Sequence, residues 1–165
     1  MRRGVILLSL VVAISLFGCQ HVPNPVSASS VVSIDSILVV EVWVSDKCPE
    51  NGKDITVRAT VTNKGTKTQV LDSKDQPVLD LIVTTGGTGG VKTRWSDGKA
   101  LTPDLTHLEL QPGQSKTIEI DRRVTNLNNR FSVEAALFDP ARFYSPVMPY
   151  VLIAPQYGCN IIDLP

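Results

Sequence analysis

Residues 55–62 read Ile-Thr-Val-Arg-Ala-Thr-Val-Thr, so that apolar and polar side chains alternate without exception. Successive side chains of a β-strand point to opposite faces, and this period of two therefore predicts a strand with one buried face. The apolar members, Ile55, Val57, Ala59 and Val61, are expected to face the core. An amphipathic helix would need its apolar residues three or four positions apart, which this stretch does not offer.

Similar β-rich runs recur along the chain, and clusters of glycine, proline, asparagine or aspartate separate them. Apolar residues do not repeat convincingly at helical spacing over ten or more positions. We therefore predict an all-β fold, an immunoglobulin-like antiparallel β-sandwich of roughly 7–9 strands. The predicted strands lie at 32–44, 55–62, 69–71, 77–85, 91–95, 105–110, 115–124, 131–137 and 148–153.

The first residues of the chain indicate export. Arg2 and Arg3 precede an uncharged, mostly aliphatic run from Gly4 to Gly18, which ends at Cys19. This run is shorter than the roughly 20 apolar residues of a membrane-spanning helix, and it is typical of the hydrophobic part of a secretory signal. Leu16-Phe17-Gly18-Cys19 resembles the bacterial lipobox, in which the cysteine is lipidated and becomes the new N-terminus. The alternative is an uncleaved N-terminal helix with an incidental cysteine.

This interpretation divides the chain into a lipoprotein signal peptide at 1–18, a flexible tether at 19–31 and a single sandwich domain at 32–165. The tether is predicted from prolines and serines without a hydrophobic period. Acyl chains on Cys19 would hold the domain to a lipid bilayer. The predicted location is therefore extracytoplasmic, with a lipid anchor in a bacterial membrane, at the cell surface or the periplasmic face.

Two cysteines remain after Cys19, namely Cys48 and Cys159. An even pair in an exported chain usually forms a disulfide, and we predict this bond. It would close a loop of about 110 residues, which the chain-entropy model associates with roughly 4 to 5 kcal/mol of stabilisation. The alternative is a pair of reduced thiols.

Charge and residue spacing exclude several classes of function. The chain carries 16 basic and 16 acidic side chains with no block of like charge, which argues against nucleic acid as a partner. The cysteines and histidines lack the spacing of metal ligands, and we expect neither a metal nor a cofactor. The glycine-rich residues 86–90 lack the Lys-Ser/Thr of a phosphate-binding loop and are interpreted as a hairpin tip.

We predict that the protein is not an enzyme. A hydrolase needs a nucleophile with a base in reach, and His107, on a strand, is the single histidine of the predicted domain. The carboxylates are scattered through turns and polar faces, and nothing in their order picks out a pair for acid–base chemistry.

Two turn motifs resemble a known family. Trp95-Ser96-Asp97-Gly98 and Leu110-Gln111-Pro112-Gly113-Gln114-Ser115, together with Val61-Thr62-Asn63, resemble the intracellular proteinase inhibitor (BsuPI) family of bacterial β-sandwich domains. The resemblance covers about residues 54–121. It implies a β-sandwich fold and, as a function, the inhibition of a proteinase.

The motif residues also have a structural interpretation. Pro112-Gly113 fits a type II turn, because proline presets one central position and glycine takes the positive φ of the next. Asp97-Gly98 is typical of a hairpin turn. Trp95 is expected to fill the core beside these turns. The functional alternative makes Trp95 and the turn from Ser96 to Lys99 an exposed binding tip.

Three functions follow as hypotheses. The first is a membrane-anchored, non-enzymatic module that binds an unknown protein partner through loops at one end of the sandwich, such as 86–90 and 96–99, or through a strand edge. The second is a proteinase inhibitor, for which the segment Arg142-Phe143-Tyr144-Ser145-Pro146 is a conceivable contact loop; packing at the start of a strand is the alternative for this segment. The third is a structural envelope lipoprotein without a dedicated ligand.

Overall fold

The computed structural model describes residues 23, 25–31, 38–50, 52–85, 90–124, 131–138 and 150–153. These residues form ten strands and one four-residue helix, and every strand pairing is antiparallel. The elements are β1 (Val26–Val31), β2 (Leu38–Val44), β3 (Asp54–Asn63), β4 (Gln69–Asp72), β5 (Leu79–Thr85), β6 (Val91–Arg94), α1 (Pro103–Thr106), β7 (His107–Leu110), β8 (Ser115–Arg123), β9 (Phe131–Leu137) and β10 (Tyr150–Ile153).

The strands form two four-stranded sheets and one small ribbon. The first sheet has the order β1-β2-β3-β8, the second has the order β10-β9-β5-β6, and β4 pairs with β7. The buried faces of the two larger sheets share one apolar core. The predicted all-β, antiparallel architecture is therefore confirmed, with ten strands in the described residues rather than 7–9.

Alternation in the sequence explains the first sheet. Ile55, Val57, Ala59 and Val61 of β3 are buried, as their period of two predicts. Four alternate residues of β2 lie on the same buried face and are fully inaccessible to solvent. Burying a Val or Leu side chain contributes about 1.5–3 kcal/mol, so that this face is a main source of stability. The β2 residues are Leu38, Val40, Val42 and Val44.

The second sheet supplies the opposite wall of the core. Alternate residues of β9, from Phe131 to Leu137, are buried as predicted, whereas the five residues Leu79–Val83 of β5 are all buried. Because successive strand residues face opposite sides, Asp80 and Ile82 are covered on the face of the sheet that points away from Leu79 and Leu81. This continuous burial places a carboxylate inside the protein.

Three local predictions were wrong. The last six residues of the predicted tether form β1, which pairs with β2, and partly buried Val26 and Ala28 pack against the core. Pairing with a buried strand thus outweighs the serine-rich composition of this segment. A helical turn, α1, precedes β7 where a strand was predicted from residue 105. Asp97-Gly98 is a turn but joins no hairpin, because β6 pairs with β5 while β7 pairs with β4.

The outer face of the first sheet is occupied by pairs of polar side chains. Arg58 donates to Glu119 across the strands at 2.6 and 2.9 Å and lies 4.7 Å from the ring centroid of Trp43. Hydroxyl pairs continue this pattern, with Thr60 and Thr117 at 3.0 Å. Because these groups already bind one another, the face offers few free donors to a partner.

None of the described segments forms a helix with the length and apolarity of a membrane span.

Candidate functional site

The Pro112–Gly113 turn has the geometry expected from its sequence. Gly113 has a φ of +80°, and the Gln114 amide donates to the Gln111 carbonyl at 3.0 Å. A positive φ at the second central position is the mark of a type II turn, and it explains why glycine is required there. The prediction for these two residues is confirmed at the level of the turn.

Asn63, at the end of β3, fixes this turn through hydrogen bonds of its side chain and backbone. Its side chain is fully buried, and Nδ2 donates to the carbonyls of Lys67 at 2.8 Å and Leu110 at 2.9 Å. Its Oδ1 accepts from the Gly65 amide at 2.9 Å. Its backbone exchanges hydrogen bonds with Gly113 and Gln114. Both amide protons and the amide oxygen therefore have partners, so that burial of this side chain costs little.

The second motif turn is held by a buried carboxylate, Asp80. Its side chain is 3% exposed, and Oδ1 accepts from the amide of Ser96 at 3.2 Å. Oδ2 accepts from the Ser96 hydroxyl at 2.8 Å and from Nη1 of Arg94 at 3.2 Å. A buried carboxylate is costly unless it is paired and hydrogen-bonded, and Arg94 and Ser96 supply both.

Asp97 and Trp95 complete the turn. Oδ2 of Asp97 accepts from the Arg94 amide at 2.7 Å, and the following Gly98 has a φ of +76°. Trp95 packs against the core but is only partly buried, so that it lies at the border of the core rather than filling it, and its amide donates to the Leu81 carbonyl at 2.8 Å. The motif residues thus fix the turn, and they leave its far side in solvent.

Lys99 lies over the outer face of Trp95. Its ammonium is 3.0 Å from the centroid of the indole ring, an arrangement typical of a cation–π contact. Desolvation lowers the pKa of Lys99 below its usual value, whereas the negative charge of Asp80 acts in the opposite direction. Lys99 therefore covers Trp95 and connects the motif turn to the residues that follow it.

Residues 97–104 are all exposed, and we call them the exposed loop. Its first half is fixed by the contacts of Asp97 and Lys99 described above. Its second half is fixed at Thr102, whose carbonyl accepts from the Leu105 amide at 2.9 Å and from the amide and hydroxyl of Thr106, both at 3.1 Å. The Val78 amide then donates to the Leu105 carbonyl at 2.8 Å. A fully exposed segment is thus clamped to the sandwich on both sides.

A family model described as intracellular proteinase inhibitor (BsuPI) matches residues 42–138, well over half of the chain. The chain belongs to the BsuPI family. The resemblance predicted from the two turn motifs is therefore confirmed, and the match extends beyond residues 54–121 on both sides. No curated protein matches the chain. The exposed loop and both clamps lie within the matched part of this BsuPI domain.

A shallow groove runs along the BsuPI domain between β7 and β8. Its wider part, of about 370 Å³, reaches Gln114 beside the Pro112–Gly113 turn. Its narrower part, of about 190 Å³, reaches Trp95. Asp104 and Lys116 line both parts. The groove thus extends between the two motif turns, with the exposed loop at one end.

His107 forms an exposed pair with Asp72 in this BsuPI domain. Nδ1 of His107 lies 2.7 Å from Oδ1 of Asp72, across the β4–β7 ribbon. Both side chains are at least half exposed. Among the described residues, no group of three or more histidine, cysteine or acidic side chains could hold a metal ion.

Several predicted features lie outside the described residues. These are Cys19 and the signal peptide at 1–18, the glycine-rich residues 86–89, the segment Arg142–Pro146, and Cys159. Cys48 is in the loop between β2 and β3, where its amide donates to Oδ1 of Asp46 at 2.9 Å. Lipidation at Cys19 and the Cys48–Cys159 disulfide therefore stay predictions.

Sequence reasoning missed the burial of Asp80 and the exposure of Leu101, although Leu101-Thr102 follows the Trp95 turn in the stretch that resembles the BsuPI family. Asp80 stands between Leu79 and Leu81 in an apolar run, and a charge at such a position is itself a signal of a buried, partnered carboxylate. Leu101 carried no signal, because exposure of a leucine in a loop cannot be read from periodicity. The structure brings Ser96 and Asp97 together with Asp80 and Arg94 at the base of the exposed loop.

Proposed function

We propose that this protein is a membrane-anchored, extracytoplasmic proteinase inhibitor, and that the exposed loop is the surface that contacts the proteinase. Membership of the BsuPI family is the observation that carries this proposal, because it assigns the chain to a group described as proteinase inhibitors. The protein acts by binding and does no chemistry of its own. Its partner is a proteinase, and no cofactor or metal takes part.

The geometry of the exposed loop supports this role. Binding a partner costs less free energy when the contact segment is already held in one conformation. The Asp80–Ser96 contact holds the loop on one side, and the Thr102 carbonyl holds it on the other. Inhibitors of this kind bury about 800 Å² per partner and stay uncut, and both properties need a rigid, protruding segment.

The predicted lipid anchor determines where inhibition takes place. Several acyl chains on Cys19 hold a protein to a bilayer far better than one chain does. The short segment between Cys19 and β1 keeps the domain close to that bilayer. The inhibitor therefore acts on proteinases at the membrane surface outside the cytosol. Intact mass of the native protein tests this part, because a mature chain that starts at Cys19 must carry the mass of the acyl groups. A chain that retains Met1 contradicts it.

Titration of the full-length, detergent-solubilised protein against serine proteinases and metalloproteinases tests inhibition. We expect a stoichiometric loss of activity for at least one proteinase, with the inhibitor still intact by mass. Rapid cleavage without inhibition contradicts the proposal. A protein partner that is retained without any inhibition would favour the more general interaction module. The absence of both inhibition and a retained partner would favour a structural lipoprotein.

A matched pair of variants tests the role of the exposed loop. Ser96→Ala removes the hydroxyl that binds Asp80, and Thr117→Ala removes a hydroxyl pair on the outer face of the first sheet. Each loses one side-chain hydrogen bond, a net change of about 1 kcal/mol in stability. We expect Ser96→Ala to weaken inhibition and Thr117→Ala to leave it unchanged. Of the two hydrogen bonds removed, only that of Ser96 helps to hold the exposed loop. Equal weakening by both variants would place the contact surface elsewhere.

A further inference from the structure

The exposed loop contains one large apolar side chain, Leu101. Its exposed fraction is 49%, and the other strongly exposed large apolar residues of the described chain, Val70 and Val91, lie on β4 and β6. Burial of such a side chain in a partner's pocket removes apolar surface from water and so contributes to the free energy of binding. Leu101 is therefore the apolar group that the loop offers to a proteinase.

Two of the three charged side chains of the exposed loop, Asp97 and Lys99, already have other contacts. Asp97 accepts a hydrogen bond from the Arg94 amide at 2.7 Å. The ammonium of Lys99 lies over Trp95. Asp104 lies in the first turn of α1, at the edge of the groove. A proteinase pocket that takes Asp97 or Lys99 would have to break one of these two contacts, whereas Leu101 can enter an apolar pocket without breaking either of them.

The backbone after Leu101 has the extended form in which proteinases bind substrates. Thr102 has φ −102° and ψ 163°, which lie in the β region. Peptides bound in this form add main-chain hydrogen bonds to an enzyme as an extra strand does. The Leu101–Thr102 peptide bond therefore joins a residue with an exposed apolar side chain to a residue with an extended backbone.

The clamps on both sides of this bond explain why the loop would resist cutting. Hydrolysis adds one water across the bond, giving a carboxylate on Leu101 and an amine on Thr102. The new amine end stays fixed, because the Thr102 carbonyl is bonded to Leu105 and Thr106. On the other side, Lys99 keeps its contact with Trp95. These contacts on both sides limit the separation of the two new ends, and this would favour rejoining of the chain over release.

We propose that Leu101 is the side chain that enters the primary specificity pocket of the target proteinase, and that this pocket is apolar. The proposal rests on the proposed inhibitory function and makes it specific. Proteinases of the chymotrypsin type have such a pocket, whereas trypsin carries an aspartate in it. Inhibition is therefore expected for the first type and not for the second.

Leu101→Ala and Leu101→Lys in the full-length protein test this inference, with chymotrypsin and trypsin as probes. We expect Leu101→Ala to raise the inhibition constant for chymotrypsin by at least about 30-fold, the size of effect found for a truncated hot spot. Leu101→Lys should no longer inhibit chymotrypsin and should now inhibit trypsin. The control is Val70→Ala, which shortens a side chain of similar exposure on β4 and should change nothing.

The outcomes separate the two proposals. If the wild type inhibits chymotrypsin and Leu101→Ala does so equally well, Leu101 is not the contact residue although the protein is an inhibitor. If Val70→Ala weakens inhibition as much as Leu101→Ala, the contact surface is not the exposed loop. If the wild type inhibits no proteinase, both proposals fail. Equal urea midpoints for all variants show that folding is not the cause. The inhibitor should stay intact during the assay, and cleavage at a bond other than Leu101–Thr102 after long incubation would contradict the assignment.

Discussion

The two motif turns of this BsuPI domain are both held by a buried polar residue, but by different chemistry. Asn63 is a neutral amide whose three side-chain hydrogen bonds all go to backbone groups. Asp80 is a carboxylate whose partners include the side chains of Arg94 and Ser96. The first arrangement joins β3 to the Pro112–Gly113 turn, and the second supports the exposed loop.

The difference separates a folding role from a functional one. Backbone partners are present whatever the neighbouring side chains are, so that Asn63 stabilises the sandwich as a whole. Asp80 also accepts from the amides of Leu81 and Ser96, but its other two contacts depend on the side chains of Arg94, at the end of β6, and Ser96, in the turn. A buried carboxylate with charged and hydroxyl partners is often retained for specificity rather than for stability. We therefore expect changes at Asn63 to affect folding most, and changes at Asp80 to affect binding most.

Asn63→Ala should give the largest effect. It leaves the carbonyls of Lys67 and Leu110 and the Gly65 amide without their partner, and we expect a loss of about 3 kcal/mol in the free energy of unfolding. Urea denaturation measures this. The neighbouring Thr62→Ala, which removes one exposed hydroxyl pair with Ser115, is the control and should cost less than about 1 kcal/mol. Similar losses in both variants would show that Asn63 has no special role.

Asp80→Asn should lower the stability less than Asn63→Ala does, but it should weaken inhibition more. The amide keeps the shape of the side chain but removes its charge, which weakens the bonds to Arg94 and Ser96, and we expect about 1–2 kcal/mol. Hydrogen exchange at residues 96–99 should become faster while that of β3 stays slow. The control is Asp121→Asn, an exposed carboxylate that accepts from Thr56. Inhibition that survives Asp80→Asn unchanged would contradict the link between this residue and the loop.

Lys99 gives the smallest effect, visible as a dependence on pH. Its pKa is lower in the folded chain than the usual value of 10.5. As the pH rises toward 10.5, the folded chain therefore loses this proton first, and the unfolded chain holds more protons than the folded chain. The free energy of unfolding should therefore increase with pH in that window. The increase is small, because Lys99 is exposed and solvent screens its charge. Urea midpoints of the wild type and Lys99→Met across this range measure it, and the same slope in both proteins would exclude Lys99 as the source.

Most of the fold could be predicted from the sequence, because alternation is a direct result of burial on one face. It identified the core faces of β3 and β9, and Pro112-Gly113 marked a turn through the φ that glycine allows. β1 was missed, since a short serine-rich strand is stabilised by its neighbour rather than by its own composition. The site was less predictable. The contacts of Asp80 join residues 14 and 16 positions away, which only the folded chain brings together.

The position of β8 has a consequence for encounters between copies of this domain. Among the described strands, β8 has a partner on one side only, and such an edge can pair with another molecule and start aggregation. Its nine residues include Lys116, Glu119, Asp121, Arg122 and Arg123. Charges of both signs along an edge disfavour growth of a shared sheet between copies. Copies of this domain should therefore not join through the β8 edge.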